Sequence, residues 1–155
     1  MLEVAVKELK IYLAGKMTGL SFENSDMWRR NLKCRIYEQA FYSEIRPIVI
    51  NPNDFYNFKE PSHKSEREIM QYDLNHVRNS DIIVVNLDGI NTSIGTAMEL
   101  YAAAQLNIPV IAFGKSREWN ETHPWLKECI SRVEIGENST DKLLIYLRDY
   151  YFNVE

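Results

Sequence analysis

The feature that most constrains this chain is an apolar run, Ile82 to Leu87, followed closely by the short segment Ser93 to Thr96. The apolar run is rich in β-branched residues and bounded by turn residues, which is typical of a buried strand. The short segment contains Gly95 and favours the start of a helix whose backbone can lie close to a bound molecule. A strand that leads into a helix is the unit of α/β folds, which bind ligands at the carboxyl ends of their strands.

Strand and helix signals alternate along the rest of the chain, and repeated strand–helix–strand units predict a parallel sheet covered on both faces. We therefore expect residues 1–155 to form one α/β domain, with a doubly wound, Rossmann-like or flavodoxin-like sheet of five mostly parallel strands. Strands are expected at about 9–14, 47–50, 81–87, 108–113 and, at an edge, 132–135. Helices are expected at about 23–43, 65–78, 95–106 and 125–130, before a last helix capped by Ser139 or Thr140. The polar and aromatic segment 55–64 is expected to be a long loop, and such loops are often functional.

Composition limits the classes of function. A net charge of -4 argues against a binder of duplex nucleic acid, which needs a clustered basic surface, but it is compatible with small anionic ligands. No apolar stretch approaches membrane-spanning length and no signal peptide is recognisable, so we expect a cytoplasmic protein without a membrane partner. Neither the cysteines (Cys34, Cys129) nor the histidines (His63, His76, His123) have metal-ligand spacing, and no metal or cofactor is expected.

Several features lie at or just past the carboxyl end of a predicted strand, or on a helix that would face that edge, so a doubly wound sheet would bring them together. They are Tyr12 with the turn Gly15–Gly19, the pair Asn51-Pro52, Asp73, the pair Asp88-Gly89 and the segment Ser93–Glu99. Each has an ordinary structural explanation, because a Gly-x-x-x-Gly turn is usually only a turn and a tyrosine in a strand is usually core. An acid such as Glu99 beside apolar residues needs a reason, however, and our hypothesis is nucleophilic chemistry.

In combination these residues resemble the nucleoside 2-deoxyribosyltransferase family, which includes transferases, 2'-deoxynucleoside 5'-phosphate N-hydrolases and phage-encoded members. The segments found in the same order in that family are Tyr12–Gly15, Asp73-Leu74, Ser80–Val85 and Gly95–Leu100. The opening Tyr12–Leu20 looks most like the phage-type members. The resemblance covers about residues 8–114, and its most specific part is Gly-Thr-x-x-Glu after an apolar strand that begins with aspartate.

The resemblance implies roles for three residues. Glu99 would attack the anomeric carbon of a sugar, and Tyr12 would hydrogen-bond and orient it. Asp73 would donate a proton to the departing nucleobase or position the substrate. A nucleobase leaves poorly until it is protonated, and two carboxyl groups in different environments can supply both an anion and an acid, as in retaining glycosidases. Water or a second base would then release the covalent intermediate.

The position six residues before the nucleophile separates branches of the family. Transferases that act on free nucleosides usually have an acid there to bind the 5'-hydroxyl, whereas this chain has Ser93, as phosphohydrolase members do. A hydroxyl at a helix start can donate to a phosphate that a carboxylate would repel. We therefore expect a nucleoside 5'-monophosphate, although Ser93 could also simply cap its helix. The expected substrate-binding residues are Gly15, Lys16, Met17, Gly19, Asp88, Ser93, Gly95 and Thr96.

The sequence thus predicts an N-glycosidase that cleaves the base–sugar bond of a (deoxy)nucleoside 5'-monophosphate through a covalent glycosyl–Glu99 intermediate. Two alternatives stay open: a nucleoside 2-deoxyribosyltransferase that exchanges bases, and a protein that binds a nucleotide without turning it over. A dinucleotide binder is disfavoured because the first turn lacks Gly-x-Gly-x-x-Gly. The resemblance also implies a homodimer or higher homo-oligomer, in which a neighbouring subunit's segment near 123–131 completes the site.

Overall fold

A five-stranded, all-parallel sheet forms the centre of the computed structural model, which describes residues 7–57 and 59–152. The strands are β1 (Lys7–Ala14), β2 (Ile45–Ile50), β3 (Ile82–Asn86), β4 (Val110–Gly114) and β5 (Arg132–Ile135). Their order is β2-β1-β3-β4-β5. This arrangement confirms the predicted doubly wound sheet, including the edge strand at 132–135.

Helices connect the strands. They are α1 (Phe22–Gln39), α2 (Glu66–Arg78), α3 (Ile94–Gln105), α4 (Ser116–Glu121), α5 (Pro124–Glu128) and α6 (Ser139–Leu147). Single turns of 3₁₀-helix span Pro52–Phe55 and Ile90–Thr92, and a π-helical turn spans Arg148–Phe152. Serines cap two of the helices, because the side chain of Ser21 accepts from Asn24 N and that of Ser65 accepts from Glu68 N.

Three helix predictions need correction. The first helix ends at Gln39 rather than near residue 43, because the backbone of Ala40 has left helical geometry and residues 40–43 form a turn. The N-cap of the last helix is Asn138 rather than Ser139 or Thr140, and Ser139 is instead its buried first residue. The helix at 116–121 was not predicted. At six residues, it is too short to show a clear helical period.

Two apolar layers lie on opposite faces of the sheet, because successive side chains of a strand point to opposite sides. One layer packs Ile11 and Leu13 of β1 against α1 and α6. The other contains Tyr12 and Ala14 of β1 and packs against α2 and α3. Tyr12 therefore lies on the same face of the sheet as α2 and α3.

The amino ends of α2 and α3 both lie at the carboxyl edge of the sheet, since each helix follows a strand that ends there and precedes one that begins at the opposite edge. The two helices pack side by side. Within 7–57 and 59–152, no helix has the length and apolar character required to cross a membrane. The fold thus places the first turns of two helices beside the turn that follows β1.

Candidate active site

A cleft of about 250 Å³ opens at the carboxyl edge of the sheet between α2 and α3. The turn after β1 contributes Gly15, Met17 and Thr18; α2 contributes Glu66, Ile69, Met70, Asp73 and Leu74; Ser93 and α3 contribute Gly95, Thr96, Met98 and Glu99. Three carboxyl groups, those of Glu66, Asp73 and Glu99, therefore line one cleft from neighbouring helices. Across the described ranges, no three His, Cys, Asp or Glu side chains are grouped as metal ligands would be.

Glu99 lies in the second turn of α3 and is half-buried, with its Oε2 atom fully covered and without a hydrogen-bond partner in the described structure. Burial raises the pKa of Glu99 from an ordinary 4.5 to about 7. The Tyr12 hydroxyl lowers this pKa, the neighbouring Asp73 raises it, and the guanidinium of Arg29 lowers it. Near neutral pH this carboxyl group is therefore divided between its charged and neutral forms, as perturbed carboxyls in functional sites often are.

Tyr12 comes from β1 and is only 1% exposed. Its hydroxyl is buried and, like Glu99 Oε2, has no partner at hydrogen-bonding geometry in the described structure. The two groups nevertheless interact electrostatically. The pKa of Tyr12 is raised well above its ordinary value, mainly by burial and next by the charge of Glu99. An unsatisfied buried polar group costs about 1–3 kcal/mol, so two such groups side by side are more typical of a functional site than of a core.

Asp73 occupies the middle of α2 and is half-buried. Its Oδ1 atom accepts a hydrogen bond of 2.6 Å from the hydroxyl of Tyr56. Burial raises the pKa of Asp73, while the Tyr56 hydrogen bond and the charges of His76 and Arg29 lower it. Asp73 thus has a fixed partner for one of its oxygens, which Glu99 lacks.

Arg29 of α1 was not identified from the sequence, although it is completely buried beside the site. Its Nη2 atom donates to the carbonyl of Gly15 at 2.9 Å and its Nε atom to that of Leu13 at 3.3 Å, while Nη1 bonds the carbonyl of Ser25. Burial lowers the pKa of Arg29 to about 10, so it stays charged at neutral pH and favours the Glu99 anion. Its inward position could have been found from its spacing of three and seven residues to Leu32 and Ile36.

The amino end of α3 forms another part of the cleft. Ser93 Oγ lies 2.7 Å from Thr96 Oγ1 and accepts no bond from the helix backbone, so this serine is not a side-chain cap. The N–H groups of a first helical turn have no acceptor within the helix, and they lie at the positive end of its dipole. A Cβ atom added to Gly95 would meet nothing within 4 Å, so the space above this turn is open.

The β1–α1 turn is only partly in the cleft. Gly15 and Met17 line it, and a Cβ atom at Gly15 would lie 2.8 Å from the ring of Trp28, which requires glycine there. Lys16 is half-buried but does not line the cleft. Its aliphatic carbon atoms occupy the space that a side chain at position 89, which is glycine, would need. Gly19, with a φ of +83°, is also outside the lining.

The remaining residues expected at this edge do not line the cleft. Asp88 is exposed. Asn51 is completely buried, and its Nδ2 atom donates to Asp26 Oδ1 at 2.8 Å. Asn53 Nδ2 donates to the same oxygen at 3.1 Å. Because both amides turn towards α1, they anchor the segment after β2 rather than contact the cleft, and this segment leads to Tyr56.

The sequence of the chain is similar to that of a known protein family. The sequence profile of the family described as nucleoside 2-deoxyribosyltransferase matches residues 11–135, a range that contains Tyr12, Asp73 and Glu99. No curated protein sequence matches the chain.

Three solved structures share the fold. A conserved protein from Enterococcus faecalis V583 is 22% identical with a TM-score of 0.67, over 89% of this chain and 96% of that one. A 2-deoxyribosyltransferase from Bacillus psychrosaccharolyticus is 19% identical with a TM-score of 0.60, over 91% of each chain. The CMP N-glycosidase BcmB from Clostridium botulinum is 16% identical with a TM-score of 0.56, over 89% of this chain and 96% of that one. These likenesses establish the shared fold, and the profile match establishes that the chain belongs to the nucleoside 2-deoxyribosyltransferase family.

Proposed function

We propose that this protein is an N-glycosidase that cleaves the base–sugar bond of a (deoxy)nucleoside 5'-monophosphate through a covalent intermediate on Glu99. The family establishes the coarser kind of chemistry, which is glycosyl transfer or N-glycosidic cleavage on nucleosides or nucleotides. The observation that carries the proposal is Glu99, whose Oε2 atom is buried without a hydrogen-bond partner in the described structure, at a cleft that Asp73 also lines.

In the first step, a carboxylate oxygen of Glu99 attacks C1' while the bond from C1' to the base nitrogen breaks. The electron pair of that bond stays on the base, which takes a proton from Asp73. Burial raises the pKa of Asp73, which favours the protonated form that can give a proton to the base. Burial also raises the pKa of Glu99, to about 7, so the anion that attacks is part of the population at neutral pH, and the Arg29 charge favours it. The Tyr12 hydroxyl faces this carboxylate and helps to hold it in the charged form.

In the second step, water attacks C1', and the bond from C1' to Glu99 breaks with its electron pair returning to the carboxylate. The proton lost by water passes to Asp73, so both side chains return to their starting states. The products are a free base and a sugar 5'-phosphate. Attack by a second base instead of water would give a new nucleotide, which is the transferase alternative.

The amino end of α3 supports the monophosphate as substrate. Ser93 and Thr96 offer hydroxyl groups there, and the first-turn N–H groups and helix dipole favour an anion. The space above Gly95 admits a ligand close to the backbone. A phosphate at this end of α3 would lie two turns or less from Glu99, which fits a sugar with its 5' end towards Ser93 and its C1' towards Glu99.

The test is to incubate the protein with the four deoxyribonucleoside and four ribonucleoside 5'-monophosphates, and with the matching nucleosides, and to follow free base by chromatography. We expect base from at least one monophosphate and none from its nucleoside. A parallel reaction with a second free base distinguishes hydrolysis from transfer, because only transfer makes a new nucleotide. Tight binding without base release from any compound would overturn the enzyme proposal in favour of a binding protein.

Glu99→Gln separates chemistry from binding. This variant should lose base release while its affinity for the nucleotide, measured by calorimetry, stays close to that of the wild type. Glu38→Gln makes the same chemical change at an exposed position of α1 and serves as the control. Mass spectrometry of the quenched wild-type reaction should find the sugar phosphate on the peptide that contains Glu99. Full activity of Glu99→Gln would exclude the covalent mechanism.

The homo-oligomer is a further part of the proposal. A groove of about 780 Å³ between α3 and α5 contains Ile94 and Trp125, which are 79% and 81% exposed. Exposed apolar patches of this kind are typical of protein interfaces. The groove shares Ser93 and Met98 with the cleft, so a second copy bound there would contact the substrate site. Light scattering should find an oligomer that Trp125→Glu dissociates, and a monomeric wild-type protein would overturn this part.

A further inference from the structure

Tyr56 contacts Asp73 from outside the cleft. Its hydroxyl lies 2.6 Å from Asp73 Oδ1, a length typical of a bond from a hydroxyl to a carboxylate, and 3.5 Å from the carbonyl of Ile69. The tyrosine lines a separate pocket of about 310 Å³, which adjoins the cleft at Ile69. Asp73 therefore faces substrate space on one side and a tyrosine hydroxyl on another.

The segment that carries Tyr56 is anchored at several points. Asn51 and Asn53 bond the buried carboxylate of Asp26, and Asp54 pairs with Lys33 of α1 at 3.0 Å. The ring of Phe55 stacks on His76 of α2, with centroids 4.7 Å apart and planes 10° from parallel.

The ring of Tyr56 is itself packed edge-on, with its centroid 6.1 Å from that of Tyr72 and 6.0 Å from that of His63. The ring that carries the hydroxyl is thus packed against two neighbouring rings, and a side chain held by packing is the condition for a preorganised contact.

We infer that Tyr56 is a positioning residue of the proposed reaction, which holds Asp73 Oδ1 so that Oδ2 gives the proton to the departing base and takes one from water. The inference rests on the proposed function. A carboxyl group with two free oxygens can present its proton in several directions, whereas a group anchored through one oxygen presents it from the other. The tyrosine bond also strengthens as Asp73 becomes charged, and it therefore stabilises the anion that proton donation leaves behind.

Several other groups act on Asp73 electrostatically, so the contribution of Tyr56 must be isolated. They are His76 on the same helix, Arg29 from α1, Glu99 from α3 and Tyr12 from β1. Tyr56→Phe removes only the hydroxyl and keeps the ring. Tyr72→Phe makes the same change on the neighbouring ring, whose hydroxyl does not bond Asp73 in the described structure, and it is the matched control.

We expect Tyr56→Phe to lower kcat for base release about 10-fold with little change in KM, and Tyr72→Phe to lower neither. Loss of a hydrogen bond to the carboxylate raises the pKa of Asp73, so the limb of the pH profile set by Asp73 should move to higher pH. A nucleotide whose base is already cationic, such as an N7-methylated purine, needs no proton to leave. In a single turnover, which measures base release before the water step, the variant should release that base as fast as the wild type.

The opposite results identify a merely structural role. Equal loss on both substrates, an unmoved pH profile, or the same loss in Tyr72→Phe would overturn the inference. Titration of the Asp73 carboxyl carbon by NMR measures the tyrosine contact without turnover, and an Asp73 pKa that is the same in wild type and Tyr56→Phe would also overturn it. If the Asp73 pKa shifts in Tyr56→Phe but the wild type releases no base, the proposed function is wrong while the hydrogen bond between Tyr56 and Asp73 is confirmed.

Discussion

The two walls of the cleft hold their carboxyl groups in different ways. On α3, Glu99 has a covered oxygen without a hydrogen-bond partner in the described structure, and burial raises its pKa to about 7. On α2, Asp73 is also half-buried, but Tyr56 occupies one of its oxygens. An oxygen that no protein donor holds is suited to form a bond to carbon, whereas an anchored carboxyl group is suited to deliver a proton. The difference between the walls therefore corresponds to the two roles proposed for them.

The largest effect is expected from a substitution of Asp73 on α2. Asp73→Asn cannot give a proton, so kcat for an ordinary base should fall about 10²–10⁴-fold, the usual contribution of a general acid. The first-turnover release of an already cationic base should be affected far less, because that step needs no proton. Asp149→Asn, at an exposed position after α6, is the control. An equal loss on both substrates would mean that Asp73 positions the sugar instead of protonating the base.

The second effect concerns the contribution of Glu99, on α3, to the free energy of unfolding of the protein. The pKa of Glu99 is raised by burial from 4.5 to about 7, so the folded state binds this proton more tightly than the unfolded state. The wild type should therefore lose free energy of unfolding relative to Glu99→Gln as pH rises from 4.5 through 7, by about 1–3 kcal/mol in total, and the loss should be complete roughly one pH unit above 7. Denaturant unfolding at several pH values measures this difference. A difference that is constant from pH 4.5 to 8 would contradict the assigned pKa.

A smaller effect is expected from Tyr12, whose hydroxyl acts on the Glu99 carboxyl group of α3. Tyr12→Phe removes a buried hydroxyl that lacks a hydrogen-bond partner in the described structure, so the free energy of unfolding should stay the same or rise by about 1 kcal/mol. The pKa of Glu99 should rise without this hydroxyl, and kcat should fall about 10-fold near neutral pH. Thermal unfolding and the pH–rate profile test the two parts. Loss of stability together with activity would identify Tyr12 as a packing residue.

The smallest effect concerns the charge at the cleft mouth. Glu66, in the first turn of α2, lines the cleft opposite the proposed phosphate site. Glu66→Gln should lower KM for the monophosphate about 2–5-fold at low salt, and less at high salt, because it removes repulsion between exposed charges. The KM of a nucleoside, where measurable, should not change. An equal change for both ligands would argue against a phosphate in this cleft.

The sequence predicted the sheet well because the central strands β3 and β4 are buried almost throughout and read as nearly continuous apolar runs. It also selected Glu99, Asp73 and Tyr12 as candidates, since each lies in a segment that resembles the family, and their roles stay predictions. The helix ends were less accurate. Asn138, for example, is the N-cap of the last helix without a side-chain bond, and because Asn, Ser and Thr are all typical N-cap residues, the run 138–140 offers three candidates.

Arg29 and Tyr56 were missed for different reasons. An arginine within a helix is normally solvated, so the helical spacing that places Arg29 on the same face as Leu32 and Ile36 was not read as burial. Tyr56 lies in a segment without periodicity, and its contact with Asp73 depends on the amide network around Asp26. Asn51 illustrates the same limit, because its position after β2 is correct for a ligand site while its side chain turns towards α1.

Arg29 binds the turn after β1 through the main-chain oxygens of Leu13 and Gly15. A carbonyl oxygen is the same acceptor whichever side chain its residue carries. Residues 16–18 can therefore exchange side chains while this anchor is retained, whereas Gly19, with a φ of +83°, favours glycine. A designed library at residues 16–18 can thus explore new ligand preferences while the hydrogen bonds from Arg29 hold the turn.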